Sequence, residues 1–327
     1  MEWLEEAFSQ AQQWLFETLM QPAMFATGLG HLLEVGYAAS GWLLVGLIQI
    51  AILVLVIGPL QRWRPVEAVT DAGTIRTDIL YTLIHRLGLF RVALFFTTDP
   101  LFDELFGKFH VAGYSAFQLD QVWPVLTDIP WLGFAVYLVV FDFVDYWIHR
   151  GQHRLGWWWS LHSLHHAQRQ MTMWSDNRNH LLDDLLRDSL LVLLAQVIGV
   201  APGQFVAIVA ITQLSESLQH ANLRLWFGRV GERLWISPRF HRLHHSIGIG
   251  HEAGTGGQTL VNGRSPALGG HNFGVLVPWW DMLFRTANFE HRYDPTGVRD
   301  QVEQGRDYGR GFWSQQWLGI KRLFGKA

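Results

Sequence analysis

Residues 130–166 read PWLGFAVYLVVFDFVDYWIHRGQHRLGWWWSLHSLHH, an apolar run that passes without a break into carboxylates and then into histidines. His149 and His153 stand four apart, and His162, His165 and His166 form an H-x-x-H-H run. A second such run follows at His241, His244 and His245. Intervals of three and four place these side chains on one face of a helix. Imidazole nitrogen is the commonest protein ligand for zinc, copper, iron and nickel, so three such faces converging make a site for more than one transition-metal ion. Lone histidines read as surface or hydrogen-bonded core residues, which fits His31, His85, His110 and His291. Clustering at ligand spacing sets the other eight apart.

The 327 residues are 49% hydrophobic and 16% charged, against about a quarter charged in soluble domains, so a membrane is the expected solvent. Absence of cysteine excludes disulfides, thiolate zinc sites and iron–sulfur clusters. With net charge −3 and no basic stripe, nucleic acid is not an expected partner. Gly36 to Leu60 is uncharged and exceeds the roughly 20 residues a bilayer core requires. Thr77 to Phe96, interrupted by His85, Arg86 and Arg91, and Pro130 to Phe143 are weaker spans. Leu185 to Val200 and Gly203 to Leu214, parted by Ala201-Pro202-Gly203, predict a helical hairpin that crosses or dips into the bilayer. Strand patterns are scarce, and the expected fold class is all-α: an integral membrane helical protein with a cytoplasmic helical cap holding a dinuclear histidine-rich metal site.

Basic residues set the topology. Arg62, Arg64 and Arg76 follow the first span, and Arg150, Arg154, Arg169 and Arg178 surround the first two histidine clusters. Lys108 stands alone among acidic residues between Thr97 and Asp128. The histidines are therefore expected on the cytoplasmic side. Residues 1–30 read as an interfacial segment, with no basic n-region of a cleaved signal peptide. Transmembrane spans are expected over 31–128, a catalytic domain over 129–287 and a cytoplasmic or interfacial tail over 288–327. In that tail Trp313, Trp317, Ile320 and Phe324 recur at helical spacing beside Lys321, Arg322 and Lys326. This suits either a helix on an anionic leaflet or an aromatic stripe packed inward. Phe324 to Ala327 hold no lysine-based retrieval signal, which points to a bacterial inner membrane.

The order H-x-x-x-H, H-x-x-H-H, H-x-x-H-H on membrane hairpins resembles the fatty acid hydroxylase/sterol desaturase superfamily. Asn177-Arg178-Asn179-His180, His220-Ala221-Asn222, and Asn272-Phe273-Gly274 with Trp280-Asp281 and Leu283-Phe284 resemble further elements of that family, and the likeness runs from about residue 129 to 287. The chain departs at Phe284-Arg285-Thr286, where the family closes with F-G-T, and in its long interval from His245 to Asn272. The glycine-rich stretch Gly248 to Gly270, which contains the additional His251 and is followed by His271, is either a flap over the site or a surface insertion. The resemblance implies a membrane non-haem oxygenase with two irons, zinc being a possible substitute in recombinant samples. It carries over as ligands His149, His153, His162, His165, His166, His220, His241, His244 and His245, with His180 matching only some branches.

Attack on an unactivated C–H bond needs a metal oxidant, for which the protein supplies ligands, orientation and exclusion of water. Asp145 and Glu216, each four residues before a histidine, are the candidate catalytic carboxylates. On a continuous helix Asp145, and with it Asp142, would accept an imidazole N–H, as Glu216 would from His220. Asp184 reads as part of a solvated helix face. The expected substrate is an apolar lipid (sterol, fatty acyl, alkyl ether or carotenoid), with Trp157, Trp158, Trp159, Trp174, Trp279 and Trp280 available to line a slot or mark the interface. O2 is the co-substrate, hydroxylation and desaturation share their first step, and electrons need a separate cytochrome- or ferredoxin-type donor, since no G-x-G-x-x-G follows a strand. Two rivals remain. A zinc-dependent lipid hydrolase would want H-E-x-x-H, which is absent, and a metal transporter would place its ligands near the bilayer midplane.

Overall fold

A computed structural model describes residues 2–90, 94, 99–114, 117, 119–125, 129–247 and 270–326. Residues 248–269, the stretch read as a flap or insertion, and parts of the Thr77–Phe96 run and of the Thr97–Asp128 connection lie outside the described residues. Among the described residues the secondary structure is helical, with one isolated antiparallel bridge between Ser246 and Thr296.

Helix α1 (Glu2–Leu15) leaves Trp3 and Trp14 exposed and runs through a π-helical turn, Phe16–Met20. It packs on α2 (Leu33–Ile52) through the Phe16 ring, set edge-on 5.4 Å from Tyr37. Helix α2 belongs to a 34-residue apolar helix, Gly30–Trp63, about 50 Å long at 1.5 Å per residue and thus longer than a ~30 Å hydrocarbon core. Leu47, Ile48, Val54, Leu55 and Val56 project outward from it, as lipid-facing side chains do. Helix α3 (Ala72–Arg86) starts at an Asp71 cap that accepts from the Thr74 N–H. It approaches α2 so closely that a Cβ on Gly46 would lie 1.7 Å from the Arg86 carbonyl oxygen, so only glycine permits this crossing.

After α4 (Asp99–Val111) comes α5 (Pro130–Arg154), the second helix long and apolar enough to cross a membrane. The extended backbone of Leu155 ends it and turns the chain into α6 (Gly156–His166). Helices α7 (Leu181–Ile198) and α8 (Pro202–His220) form the expected hairpin, closed by Gly199 in the left-handed region and restarted by Pro202. Neither is long and apolar enough to rank with the two candidate spans, and α7 carries Asp183, Asp184, Arg187 and Asp188 in its first two turns. Phe141 of α5, Leu191 of α7 and Ile208 of α8 make the apolar core between them.

Two short helices complete the site, α9 (Pro238–His244), capped by the Ser237 hydroxyl, and α10 (Trp279–Leu283). The last helix, α11 (Phe312–Leu323), corrects one of the two readings of the tail. Its inner face is Phe312, Gln315, Gln316, Gly319 and Arg322, while Trp313, Trp317 and Phe324 point outward, so the aromatic stripe is not packed on the domain. Arg322 donates to the Ser160 carbonyl at 3.1 Å, which fastens α11 to α6.

Candidate metal centre

Four helices each deliver histidines to one place. The end of α5 supplies His149 and His153, α6 supplies His162, His165 and His166, the last residue of α8 is His220, and α9 with the residue after it supplies His241, His244 and His245. All nine are buried. Their nitrogens form three overlapping groups able to bind metal: His149, His153, His162 and His166; His165, His220, His241 and His245; and His166, His244 and His245. Within each group the donor atoms lie within 4.8 Å of one another.

The hydrogen bonds behind the rings say which nitrogen faces inward. His149 Nδ1 lies 2.9 Å from the Phe273 carbonyl, His244 Nδ1 2.7 Å from the His271 carbonyl and His220 Nδ1 2.8 Å from the Glu216 carbonyl. A carbonyl only accepts, so each Nδ1 carries the proton and each Nε2 presents a lone pair to the cluster. His162 is held alike by the Asp183 carboxylate at 2.9 Å, and its buried Nε2 has no hydrogen-bond partner. Nε2 of His220 stands 3.1 Å from that of His165 and 3.2 Å from that of His241, which is 3.1 Å from that of His245. One in-plane lone pair on His220 cannot accept from two donors. Nitrogens about 2.0–2.1 Å from a shared cation stand ~3.0–3.4 Å apart, so this spacing and the converging lone pairs fit a bound transition metal.

Burial, and after it the neighbouring imidazoles, push His165, His241 and His245 well below the usual histidine range. The fold therefore holds them neutral, the state a metal requires. Because the folded pKa values are depressed, this stability is present above the unfolded value near 6.5 and is lost as pH falls. Metal-free protein is expected to lose about 1.4 kcal/mol per pH unit for each such histidine below ~6.5. Thermal unfolding at pH 8, 6.5 and 5.5 checks this.

Asp183 escaped the sequence reading. One oxygen accepts from Gln152 Nε2 and Trp158 Nε1, both at 2.7 Å, and the other holds His162. Its signal was a carboxylate in the first turn of a helix otherwise rich in leucine, three residues after His180. The closing motif is a clip. Asp281 accepts from the Phe273 and Gly274 N–H groups and from Thr286, and Asn272, at φ 63°, ties Phe240 to Asn288. This presents the His271 and Phe273 carbonyls to His244 and His149. Burial raises the Asp281 carboxyl to about 6. Arg285 sits in the same clip at φ 58°, in the left-handed region that glycine occupies without steric cost. Arg285→Gly is expected to stabilise by about 0.5–1 kcal/mol, read as a shift in thermal midpoint.

Several expected roles are not what the structure shows. His180 lies outside the three groups. It caps α7, accepting from the Leu182 N–H at 3.2 Å, with Nε2 2.9 Å from the Gln316 carbonyl. Asp145 holds no imidazole, because both its oxygens accept from Arg187 at 2.8 Å. The Glu216 carboxylate takes Arg187 at 3.2 Å, and it is the Glu216 backbone that holds His220. Asp142 accepts from Leu276 N–H and Trp280 Nε1, binding α5 to the clip. Asp184 is buried 3.3 Å from His85, not solvated. The tryptophans do not form a slot: Trp158 and Trp280 are spent on Asp183 and Asp142, Trp174 packs on Leu53 and Ile57, and Trp159 alone of the six stacks near site histidines, 5.1 Å from His153.

Comparison with known proteins agrees with this geometry. The fatty acid hydroxylase family model matches residues 134–286. The chain is 26% identical over 256 residues to the ornithine lipid hydroxylase OlsE of Rhizobium tropici, covering 77% of this chain and 70% of that protein. It is 25% identical over 172 residues to the alkylglycerol monooxygenase of Caenorhabditis elegans, covering 51% of this chain and 29% of that one. No solved structure matches. The stretch that matches the fatty acid hydroxylase family model holds all nine buried histidines, and the two relatives are named as a lipid hydroxylase and a monooxygenase.

Proposed function

We propose that the protein is a membrane di-iron oxygenase that hydroxylates a lipid. The observation that carries this reading is the convergence of nine buried histidines, four of which have an outer hydrogen bond that turns the Nε2 lone pair inward. His149, His153, His162 and His166 would hold one iron and His165, His220, His241 and His245 the other, with His244 beside both. When bound, iron supplies the activation of O2 that no side chain can provide. The reaction balances as one C–H bond broken and one C–O bond made. One oxygen atom of O2 enters the lipid and the other leaves as water, with two electrons and two protons consumed. A separate cytochrome- or ferredoxin-type donor supplies the electrons. The names of the two relatives, a lipid hydroxylase and a monooxygenase, favour hydroxylation over desaturation.

The chain's own part is to bind, orient and keep water out. Asp183 and the Phe273, His271 and Glu216 carbonyls fix four rings in one tautomer. Asp145 and Glu216 act on the site through Arg187, as positioning residues. The site would face the cytoplasm, because Arg62 and Arg64 end the first apolar helix and Arg150 and Arg154 the second. Residue 64 docks beside the site, where Arg224 N–H donates to the Arg64 carbonyl. Purified protein supplied with 18O2, a reducing system and a bacterial lipid extract is expected to place one 18O atom in a lipid product. Label found only in water, or incorporated from H2 18O, would reject the oxygenase reading.

A further inference from the structure

A cleft of about 570 Å³ lies apart from the histidines, between the last turns of the Gly30–Trp63 helix, α3 and residues 172–174. Its volume falls within the roughly 300–1,000 Å³ of small-molecule sites. None of the site histidines lines it. Val54, Gly58, Ile75, Ile79, Met173 and Trp174 make its walls apolar. Most of its polar lining is used by the protein itself. Asn222 accepts from the Val66 and Glu67 N–H groups and donates to the Glu67 carbonyl, and the Glu67 carboxylate stands 3.1 Å from Arg242. Gln61 Oε1 accepts from the Met173 and Asn222 N–H groups, both at 3.2 Å. Arg62 is different: it is exposed and has no ion-pair partner among the described residues.

One helix orients the cleft in the bilayer. Val54 is half exposed and belongs to the outward-facing apolar stretch of that helix. Arg62 follows eight residues later, about 12 Å further along the axis. Beside it Trp63, 75% exposed, marks the headgroup level, where exposed tryptophans gather, and the exposed Arg64 adds a second positive charge there. Apolar walls at hydrocarbon depth and a free guanidinium at headgroup level repeat the order of a phospholipid, chain and then phosphate. Basic pockets beside membrane helices hold anionic headgroups, and guanidinium matches phosphate with two parallel hydrogen bonds. We infer that this cleft seats a phospholipid of net negative charge, its phosphate on Arg62 and one acyl chain along Val54, Ile75 and Ile79 against Met173. Through Gln61 the occupied cleft braces the segments that follow His166 and His220. The inference requires a membrane but not the oxygenase reading, and the seat is separate from the metal centre.

The test measures binding of dioleoyl phosphatidylglycerol and dioleoyl phosphatidylcholine to the full-length, metal-loaded protein in lipid-depleted detergent, by displacement of a fluorescent phosphatidylglycerol at equilibrium. The choline cation of the second lipid would meet Arg62 and Arg64, so the anionic lipid is expected to bind about tenfold more tightly. Arg62→Gln is expected to reduce that ratio to about twofold, while Arg229→Gln, an exposed arginine elsewhere, leaves it unchanged. Ala68→Trp, which fills the cleft from an exposed loop position, is expected to weaken phosphatidylglycerol binding about tenfold at an unaltered thermal midpoint. Equal binding of the two lipids to the unaltered protein overturns the inference with no variant needed, and so does a ratio that Arg62→Gln leaves intact. Displacement of the probe by chainless glycerol 3-phosphate as effectively as by the lipid would also overturn it, because the apolar walls would then contribute nothing.

Discussion

His245→Ala is expected to abolish activity and to lower metal content below that of a variant in any residue that only orients a histidine. His245 belongs to two of the three histidine groups, so its loss removes a donor from both. Its ring stacks on His166 with centroids 4.2 Å apart and its Nε2 stands 3.1 Å from that of His241, so no nearby side chain can take its place. Residues that only orient a ligand are worth 10–100-fold in metal affinity or activity, and a direct ligand is expected to exceed that, with turnover reduced by more than ~100-fold. His180→Ala is the paired control. Its ring joins the start of α7 to the backbone of α11 at Gln316, so its removal is expected to lower the thermal midpoint and leave metal content intact. Elemental analysis of both variants distinguishes them, and unchanged metal in His245→Ala would remove that residue from the site.

Asp183→Asn is the second large effect. The carboxylate receives three hydrogen bonds, from His162, Gln152 and Trp158, and all three partners are donors. An amide keeps only one accepting oxygen and sets its NH2 against either the His162 N–H or the Gln152 and Trp158 pair. His162 then loses the partner that holds its proton on Nδ1 and its lone pair inward. Metal affinity is expected to fall 10–100-fold with little change in fold, seen as faster metal loss to a chelator. A chelation rate equal to that of the unaltered protein would show that Asp183 braces the helices and nothing more.

Legibility in the sequence followed the reach of each interaction. Spacing placed His149 with His153 and both H-x-x-H-H runs, because a helical face is a local property. His220 was legible through resemblance alone, since nothing around it repeats. The same local reasoning misled at Asp145 and Glu216, where the four-residue offset to a histidine was real but Arg187, on another helix, took both carboxylates. Charged residues in an apolar helix are costly unless paired, so the run Asp183, Asp184, Arg187 and Asp188 was itself a sign of a buried polar network. The Phe273 and His271 carbonyls were beyond reach: a backbone oxygen has no letter, and its partner lies 124 residues away in one case and 27 in the other.

Iron content per chain, with Mössbauer spectra of protein grown in 57Fe before and after reduction by dithionite and exposure to O2, bears most directly on the site. Two irons per chain, magnetically coupled and reoxidised by O2, are the expected result. A single redox-inert zinc that iron cannot displace would contradict it and move the zinc hydrolase ahead.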